Sequence, residues 1–550
     1  MKAFKTKSLY AAVIAGLGAA AGSMQAGAVN ISQDHSGQVL LYPYFTTRGG
    51  FVTSLSVVNT DQDHTKVAKV RFLEGKNSAE VLDFNLFLSP RDVWTASVVD
   101  NGSGGAVFSV DRSCTAPALG TTSATAQPFV NYYYTGQVAG TFNDNGGSSL
   151  DRTREGYVEI IEMGVVANGA DVESSPPTPV GNTVANAVKH NSAGTPANCN
   201  VVRANSLFPG VNDLRQPVGG LVGNGIIINT TTGTEFAYTP VALANFFFDA
   251  ITAGAADLYF DPGSLNPDLR NVSPARSDVF VDGIGGVPTI ATVPDWTAVA
   301  GGAPVDAVSA VFMRSNIINE YDVSTGFKTD WVITAPTKRY YVQAASAAAA
   351  SLAPTALTVG PFNQTFASAT AGAAQSCDLV FPSAYDREEA PYATVTGVVF
   401  SPVPVGAPAG VGTLCWESTV LTVVPNGGTV AAASVFSSAN AATLTLPANG
   451  SAGAAPQYTA GWVSLVPTRA AGAATNNGPG QLAAGGVNAI TGIPVVVITS
   501  DAQGGLRNAV AGGNRYRGLP VIGFSAIQAI VSGQGYGGIF EHKFQRNIAP

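Results

Sequence analysis

The chain has 550 residues, of which 28 are basic and 36 acidic, so its formal net charge at pH 7 is -8. An acidic chain repels phosphate backbones, which argues against nucleic acid as a partner. Only 12% of the residues are charged and 62 are glycine, a composition more typical of uncharged strands and turns than of a salt-bridged helical cytosolic enzyme.

The first 28 residues have the layout of a cleavable secretory signal. Three early lysines precede an apolar stretch at 9–21, and a small-residue site follows at 26–28. The apolar stretch is about a dozen residues long, whereas a membrane-spanning helix needs about 20. We therefore expect cleavage after Ala28 and no transmembrane segment. The mature protein is expected at the cell surface or in the extracellular space, with the periplasm as the alternative.

Residues 29–165 predict an antiparallel β-sandwich of the immunoglobulin-like type. In VAKVRFL, Ala68, Val70 and Phe72 alternate with Lys69 and Arg71, and EVLDFNLFL repeats the period of two. Such alternation indicates paired strands with one buried face. Together with QVLLYPYF, FVTSLSVVN and VWTASVV, these segments make five short strands separated by turns, which is the pattern of a sandwich.

The remainder of the chain is predicted to be β-rich with few short helices, so the fold class is mainly β. The predicted regions are a Pro/Asn-rich loop (166–199), a β-rich region with a short helix (200–343), an Ala-rich linker (344–375) and a C-terminal β-rich region (376–550). Strand patterns occur at 157–163, 220–229, 307–313 and 331–342, with a turn at Asn224-Gly225. Helix patterns begin at Pro240 and at 524.

The four cysteines are Cys114, Cys199, Cys377 and Cys415. In an oxidising compartment an even number indicates disulfides, and four cysteines allow three connectivities. Proximity in the sequence favours Cys114 with Cys199 and Cys377 with Cys415. No CxxC spacing is present, so a cysteine-ligated metal site is not predicted.

Four blocks of the sequence resemble recurring blocks of uncharacterised secreted β-rich proteins from proteobacteria. They are VRFLEGKNSAEVLDFNLFLSPRDVWTASV (70–98), REGYVEIIEMG (154–164), TDWVITAPTKRYYV (329–342) and the closing GLPVIGFSAIQA…YGGIFEHKF (518–544). The resemblance implies export and a shared β-rich architecture. It implies no activity, so it transfers no functional residue.

No complete catalytic motif is present. The segment nearest to a GxSxG nucleophile elbow, residues 523–527, lacks the second glycine. The histidines available to activate a nucleophile are interpreted as solvated: His35, His64, His190 and His542.

Local carboxylates do not form a glycosidase pair. Glu159 and Glu162 are an odd number of residues apart on a predicted strand, so they point to opposite faces, one toward solvent and the other at an edge. A carboxylate pair contributed by distant regions stays open. A secreted polysaccharide hydrolase is therefore the alternative function.

No cofactor is predicted apart from a structural calcium ion at one of two acidic turns. The first turn contains Asp61 and Asp63, and the second runs from Asp144 to Asp151. Neither has the full EF-hand spacing, and acidic turn residues more commonly stay hydrated.

Exposed aromatic side chains are the other candidate for binding. NYYY at 131–134 predicts a surface patch made by Tyr132, Tyr133 and Tyr134, because adjacent strand residues point to opposite faces. The sequence thus favours a structural or adhesive protein that acts through sheet edges and aromatic patches. Its expected partners are other surface proteins, polysaccharide or further copies of itself.

Overall fold

The computed structural model describes residues 27–135, 137, 146–168, 177–204, 206–209, 213–248, 258–282, 288–297, 302–342, 361–362, 376–389, 412–451, 456–468, 482–487, 494–496 and 515–549. The charged and apolar parts of the predicted signal, nearly all of the predicted linker, and Asp144 lie outside the described residues.

The described chain is mainly β, as the sequence predicts. The strands of its first half are β1 (Asn30–Ile31), β2 (Val39–Thr46), β3 (Val52–Asn59), β4 (Lys66–Glu74), β5 (Glu80–Leu88), β6 (Val93–Asp100), β7 (Gly105–Phe108), β8 (Cys114–Ala116), β9 (Gln127–Pro128), β10 (Glu155–Val166), β11 (Leu214–Arg215), β12 (Leu221–Asn229), β13 (Thr234–Tyr238) and β14 (Val241–Ala244). The five strands predicted from alternation correspond to β2–β6.

The strands of the second half are β15 (Ser277–Asp282), β16 (Pro288–Val293), β17 (Met313–Arg314), β18 (Asn316–Asp322), β19 (Phe327–Thr334), β20 (Cys377–Asp386), β21 (Gly412–Cys415), β22 (Ser418–Val424), β23 (Ala441–Thr445), β24 (Ala460–Thr468), β25 (Leu482–Val487), β26 (Pro494–Val496), β27 (Arg515–Arg517), β28 (Leu519–Pro520), β29 (Ile522–Val531), β30 (Gln534–Glu541), β31 (Lys543–Gln545) and β32 (Asn547–Ala549).

Helices are short. The α-helices are α1 (Tyr132–Thr135), α2 (Pro179–Val188), α3 (Val305–Phe312), α4 (Arg339–Val342) and α5 (Val430–Ala433). Helix α2 lies within the predicted Pro/Asn-rich loop. Its start follows a common rule: Pro179 occupies the first turn, and the Thr178 side chain accepts a hydrogen bond from the Gly181 N–H.

Four sheets account for most strands. Sheet A has the order β1-β14-β2-β10-β4-β5-β8, with β11 beside β10, and sheet B has the order β13-β12-β3-β6-β7-β9. Sheet C has the order β21-β20-β24-β18-β31, and sheet D has the order β23-β22-β19-β29-β30. All neighbouring strands in these sheets are antiparallel except β22 and β23, which are parallel.

Sheets A and B pack face to face and form the predicted N-terminal sandwich. Their strand pairing does not follow the boundary predicted at residue 165, because β12 and β13 complete sheet B and β14 lies between β1 and β2 in sheet A. The immunoglobulin-like strand order is not confirmed. That fold uses seven or nine strands, whereas these two sheets also recruit strands from residues 214–244.

Sheet D is shared between two cores. Its Val332 and Phe524 side chains belong to the same apolar cluster as the facing surfaces of sheets A and B. Its Trp331 and Ile333, on the opposite face, pack in the cluster that includes the inner face of sheet C. The two halves of the described chain are therefore packed together through sheet D.

Sheet A is buried on both faces, which corrects the prediction of one buried face. Lys69 and Arg71 are 0% and 1% exposed. Lys69 donates to the carbonyl of Asp261, and Asn85 of β5 donates to that of Phe260. A segment distant in the sequence thus covers the face that alternates with the apolar one.

Four predicted elements differ from the structure in whole or in part. The strand predicted at 331–342 ends at Thr334, and residues 339–342 form helix α4. The helix predicted from Pro240 begins instead with strand β14, the helix predicted at 524–532 belongs to strand β29, and the strand predicted at 307–313 is mostly helix α3. All eight residues of α3 are buried, so it lacks the polar face that marks a surface helix. Short, wholly apolar runs do not distinguish a buried helix from a buried strand.

The predicted turn at Asn224-Gly225 is also absent, because β12 continues through it. Two glycines of β12 leave room for the side chains of Tyr42 and Tyr238. A Cβ atom at Gly223 would overlap the Tyr42 hydroxyl, and one at Gly225 would overlap the ring of Tyr238. Glycine here permits close packing within a strand.

Candidate functional site

The cysteines form two disulfides. Cys114 of β8 is bonded to Cys199, which begins a short 3-10 helix after α2. Cys377 and Cys415 face each other across β20 and β21 and are bonded. These are the pairings favoured by proximity, and no free cysteine is present in the described chain.

The predicted tyrosine patch is largely not exposed. Residues 132–135 form helix α1 and not a strand. Tyr132 is 46% exposed, but Tyr134 is 1% exposed and packs its ring 4.0 Å from the guanidinium carbon of Arg152. Tyr133 is half-buried. Only Tyr132 offers a well-exposed ring for binding.

The first calcium candidate is a hydrogen-bonded turn. Asp61 accepts from the backbone N–H groups of Asp63 and His64, and its Oδ2 is 2.7 Å from Nδ1 of the His64 ring. Asp63 is exposed. The carboxylate of Asp61 therefore stabilises the turn.

The second candidate is paired with cations where it is described. Asp151 contacts Arg48 at 2.7 Å and Arg154 at 2.6 Å, and the hydrogen bond from Arg48 lowers the pKa of Asp151. Among the described residues, no group of three or more His, Cys, Asp or Glu side chains could hold a metal ion.

The prediction of four solvated histidines is wrong for His542. Its side chain is half-buried, with Nε2 2.9 Å from the Val332 carbonyl oxygen and Nδ1 3.0 Å from Nδ2 of Asn319. Nε2 therefore donates and Nδ1 accepts, which identifies a neutral imidazole. Burial lowers the pKa of His542 to about 4.

Buried carboxylates with a raised pKa exist, but they line no cleft among the described cavities. Burial raises the pKa of Glu159 to about 7 and that of Glu417 to about 8. Glu159 is fully buried and paired with Arg71, and Glu162 is fully buried and paired with Lys66. The prediction that one of these glutamates faces solvent is therefore wrong. Neither Glu159 nor Glu417 lines the best-formed cavities of the described chain, so a carboxylate-dependent hydrolase gains no support there.

An exposed aromatic surface begins on sheet C. Tyr385 of β20 and Trp462 of β24 are cross-strand partners, and their rings stack with centroids 4.2 Å apart and planes inclined by 11°. Trp462 is 38% exposed. The two rings pack side by side across the strands, and the stack fixes the orientation of the partly exposed indole.

The surface continues to sheet D through an ion pair. Glu320 lies opposite Trp462 in the β18–β24 pairing, and its Oε1 is 4.0 Å from Nζ of Lys543. The same Nζ lies 5.8 Å from the ring centroid of Phe540, which is 40% exposed. The charges of Glu320 and Lys543 compensate each other, so the surface between Trp462 and Phe540 carries no net charge.

Tyr536 and Phe327 extend the surface along sheet D. Tyr536 is four residues from Phe540 on β30, so the two share a face. Tyr536 and Phe327 flank Ala529 from either side, and they are 61% and 38% exposed. We call the five rings the aromatic strip: Tyr385, Trp462, Phe540, Tyr536 and Phe327.

Sequence reasoning missed the aromatic strip because its members come from four strands that are far apart in the sequence. A partial signal was available in QGYGGIFE, where Tyr536 and Phe540 are four residues apart and would therefore share one face of a strand. The helix predicted for the preceding segment obscured this spacing.

The sheet edges are poorly suited to pairing with another chain. The longest edge strand, β30, lies against the edge strand β13: the Gly535 N–H donates to the Thr232 carbonyl at 2.8 Å, and Gln528 donates to the Thr234 hydroxyl. The other edge strands of sheets A–D have two to five residues. Short and covered edges discourage edge-to-edge assembly, so side-chain surfaces are the better candidates for binding.

Comparisons with protein-family models, curated proteins and solved structures gave no match to this chain. The resemblance of four sequence blocks to secreted proteins therefore stays an expectation. In the described part of the chain, no helix is long and apolar enough to cross a membrane.

Proposed function

We propose that this protein is an exported adhesive protein of the cell surface or extracellular space that holds polysaccharide on the aromatic strip. The observation that carries the proposal is a set of five exposed or half-exposed rings on sheets C and D, with the compensated pair Glu320–Lys543 between Trp462 and Phe540. Exposed apolar patches on a protein surface mark interaction sites.

The chemistry of the rings favours sugar as the ligand. A flat indole face offers apolar surface to the C–H face of a pyranose, while the sugar hydroxyls remain in water. Because the charges of Glu320 and Lys543 compensate each other, the surface between the rings has no net charge. A neutral polysaccharide therefore suits the aromatic strip better than a charged one. The two disulfides are consistent with an oxidising compartment.

Binding is best tested by co-sedimentation of the purified protein with insoluble cellulose and chitin. We expect Trp462→Ala and Tyr536→Ala each to weaken binding about tenfold. Truncation of an aromatic side chain that contacts the ligand typically loses more binding free energy than truncation of a residue at the rim of the site. Tyr132→Ala is the matched control, because Tyr132 is a similarly exposed aromatic residue outside the strip.

Several outcomes would oppose the proposal. Equal binding by all three variants would exclude the strip as the polysaccharide site. Association of the protein with itself that disappears in Trp462→Ala, without polysaccharide binding, would identify a second copy as the partner. Release of reducing sugars would favour the hydrolase.

Export is tested separately by N-terminal sequencing of the protein recovered from cell fractions. We expect the sequence to begin at Val29, in the extracellular or surface fraction. A cytoplasmic protein that retains Met1 would contradict export.

A further inference from the structure

A cavity of about 340 Å³ lies between the N-terminal sandwich and the C-terminal strands. Its walls are largely apolar, with Ile31, Val241, Ile317, Ile522, Phe524 and Ile539 among the lining residues. Two arginines, Arg314 and Arg546, also line it. The volume is at the lower end of the range for small-molecule sites. We propose that this cavity, the arginine pocket, binds an organic monoanion with an apolar body, such as a medium-chain carboxylate.

The arginines are held close together. The guanidinium carbon of Arg314 lies 3.5 Å and that of Arg546 4.9 Å from the ring centroid of Phe544. Both side chains donate to the carbonyl of Val311, at 3.2 Å and 2.9 Å. Like charges at such proximity repel each other, so an anion bound beside them is stabilised.

Arg314 presents an unused edge. It is 7% exposed, and only Nη1 donates to described residues, namely to the carbonyls of Val311 and Met313. Within the described part of the chain, Nε and Nη2 have no hydrogen-bond acceptor and no carboxylate forms an ion pair with Arg314. Nε and Nη2 together make the edge with which a guanidinium grips a carboxylate through two parallel hydrogen bonds.

The other titratable groups of the cavity wall do not neutralise Arg314. Asp278 accepts a hydrogen bond from the Thr292 hydroxyl, Glu541 and His35 are exposed, and His542 is neutral. Burial and the neighbouring Arg546 lower the pKa of Arg314 well below its ordinary value, without a contribution from either carboxylate. A cation buried without a counter-ion is costly, and a ligand carboxylate would supply the missing charge.

The test is calorimetric titration of the full-length mature protein with decanoate and, as the neutral comparison, with decanol. We expect decanoate to bind at least about tenfold more tightly than decanol, because only the anion forms charge-assisted hydrogen bonds. Arg314→Gln should weaken decanoate binding at least about tenfold and leave decanol binding unchanged. Arg314→Lys should retain part of the preference. Arg91→Gln, at an exposed arginine elsewhere, is the control.

A second variant keeps the test decisive if Arg314→Gln does not fold. Ile539→Trp fills the cavity without altering either arginine, and we expect it to abolish binding of both compounds. Equal affinity for decanoate and decanol, absence of decanoate binding by the wild type, or unchanged decanoate binding in both Arg314→Gln and Ile539→Trp would overturn the proposal.

Discussion

Arg71 and Glu159 face each other across β4 and β10, with 2.6 Å between Nη1 of the arginine and Oε2 of the glutamate. Nε of the same arginine lies 2.7 Å from Oε2 of Glu80. All three side chains are almost completely buried. One guanidinium thus forms ion pairs with two buried carboxylates.

Replacement of Arg71 by methionine is expected to lower the free energy of unfolding by about 3–5 kcal/mol, because it leaves buried carboxylates without their cation. Urea unfolding at pH 7 measures the change. Arg91→Met is the control, since Arg91 is exposed and such substitutions usually change stability by less than about 0.5 kcal/mol. Similar unfolding curves for the two variants would show that the buried pair is dispensable.

His542 should make the protein less stable in mild acid. Its folded pKa is about 4, whereas an unfolded histidine has a pKa of about 6.5. Between these values the unfolded state binds a proton that the folded state does not, so the free energy of unfolding falls as pH is lowered through this interval. The contribution lost by pH 4 is about 3 kcal/mol.

The measurement compares urea unfolding of the wild type and His542→Gln at pH 7 and pH 4.5. We expect the wild type to lose more stability than the variant between the two pH values, since glutamine does not titrate. The difference between the two proteins isolates His542 from the buried acids, whose raised pKa values act in the opposite direction. Identical pH dependence in both proteins would contradict a neutral imidazole in the folded state.

The two disulfides should contribute unequally. The Cys114–Cys199 bond spans 85 residues and the Cys377–Cys415 bond spans 38. Loop-closure entropy predicts contributions of about 4.6 and 3.9 kcal/mol, respectively. Urea unfolding of the paired alanine variants tests the order. A larger loss on removal of the shorter loop would mean that local packing, and not chain entropy, determines the contribution.

Gly223 should tolerate no side chain. A methyl group there would overlap the Tyr42 hydroxyl within the core of the sandwich, so Gly223→Ala is expected to cost about 1–3 kcal/mol of unfolding free energy. Gly538→Ala is the comparison, because its added Cβ would meet neighbours at ordinary distances of 3.5 Å or more. Thermal unfolding of both variants distinguishes them, and equal melting temperatures would refute the packing argument.

The sequence predicts β2–β6 because each strand has an apolar face that alternates with other residues. It does not predict that Lys69 and Arg71 are buried, since the residues that cover them come from distant parts of the chain. Asp261 and Phe260 contribute the covering carbonyls. Alternation specifies which residues share a face, but not what packs on that face.

The same limit applies to the candidate sites. Tyr132 was identifiable as an exposed aromatic residue, but the contact between Tyr385 and Trp462 depends on the pairing of two strands far apart in the sequence. The arginine pocket likewise combines β17 with residues beyond β31. Charged residues near the end of the chain gave no indication of such a cavity, because their burial is a property of the assembled sheets.

The position of β14 between β1 and β2 has a consequence for the order of folding. Asn30 pairs with Ala244, and β2 also depends on β14 for one of its neighbours. Until residues 241–244 have been synthesised, β2 retains an open edge and β1 has no partner in sheet A. Long-range pairing of this kind folds slowly, and unpaired edges aggregate. A chaperone that shields the nascent β2 edge would therefore act before the sandwich closes.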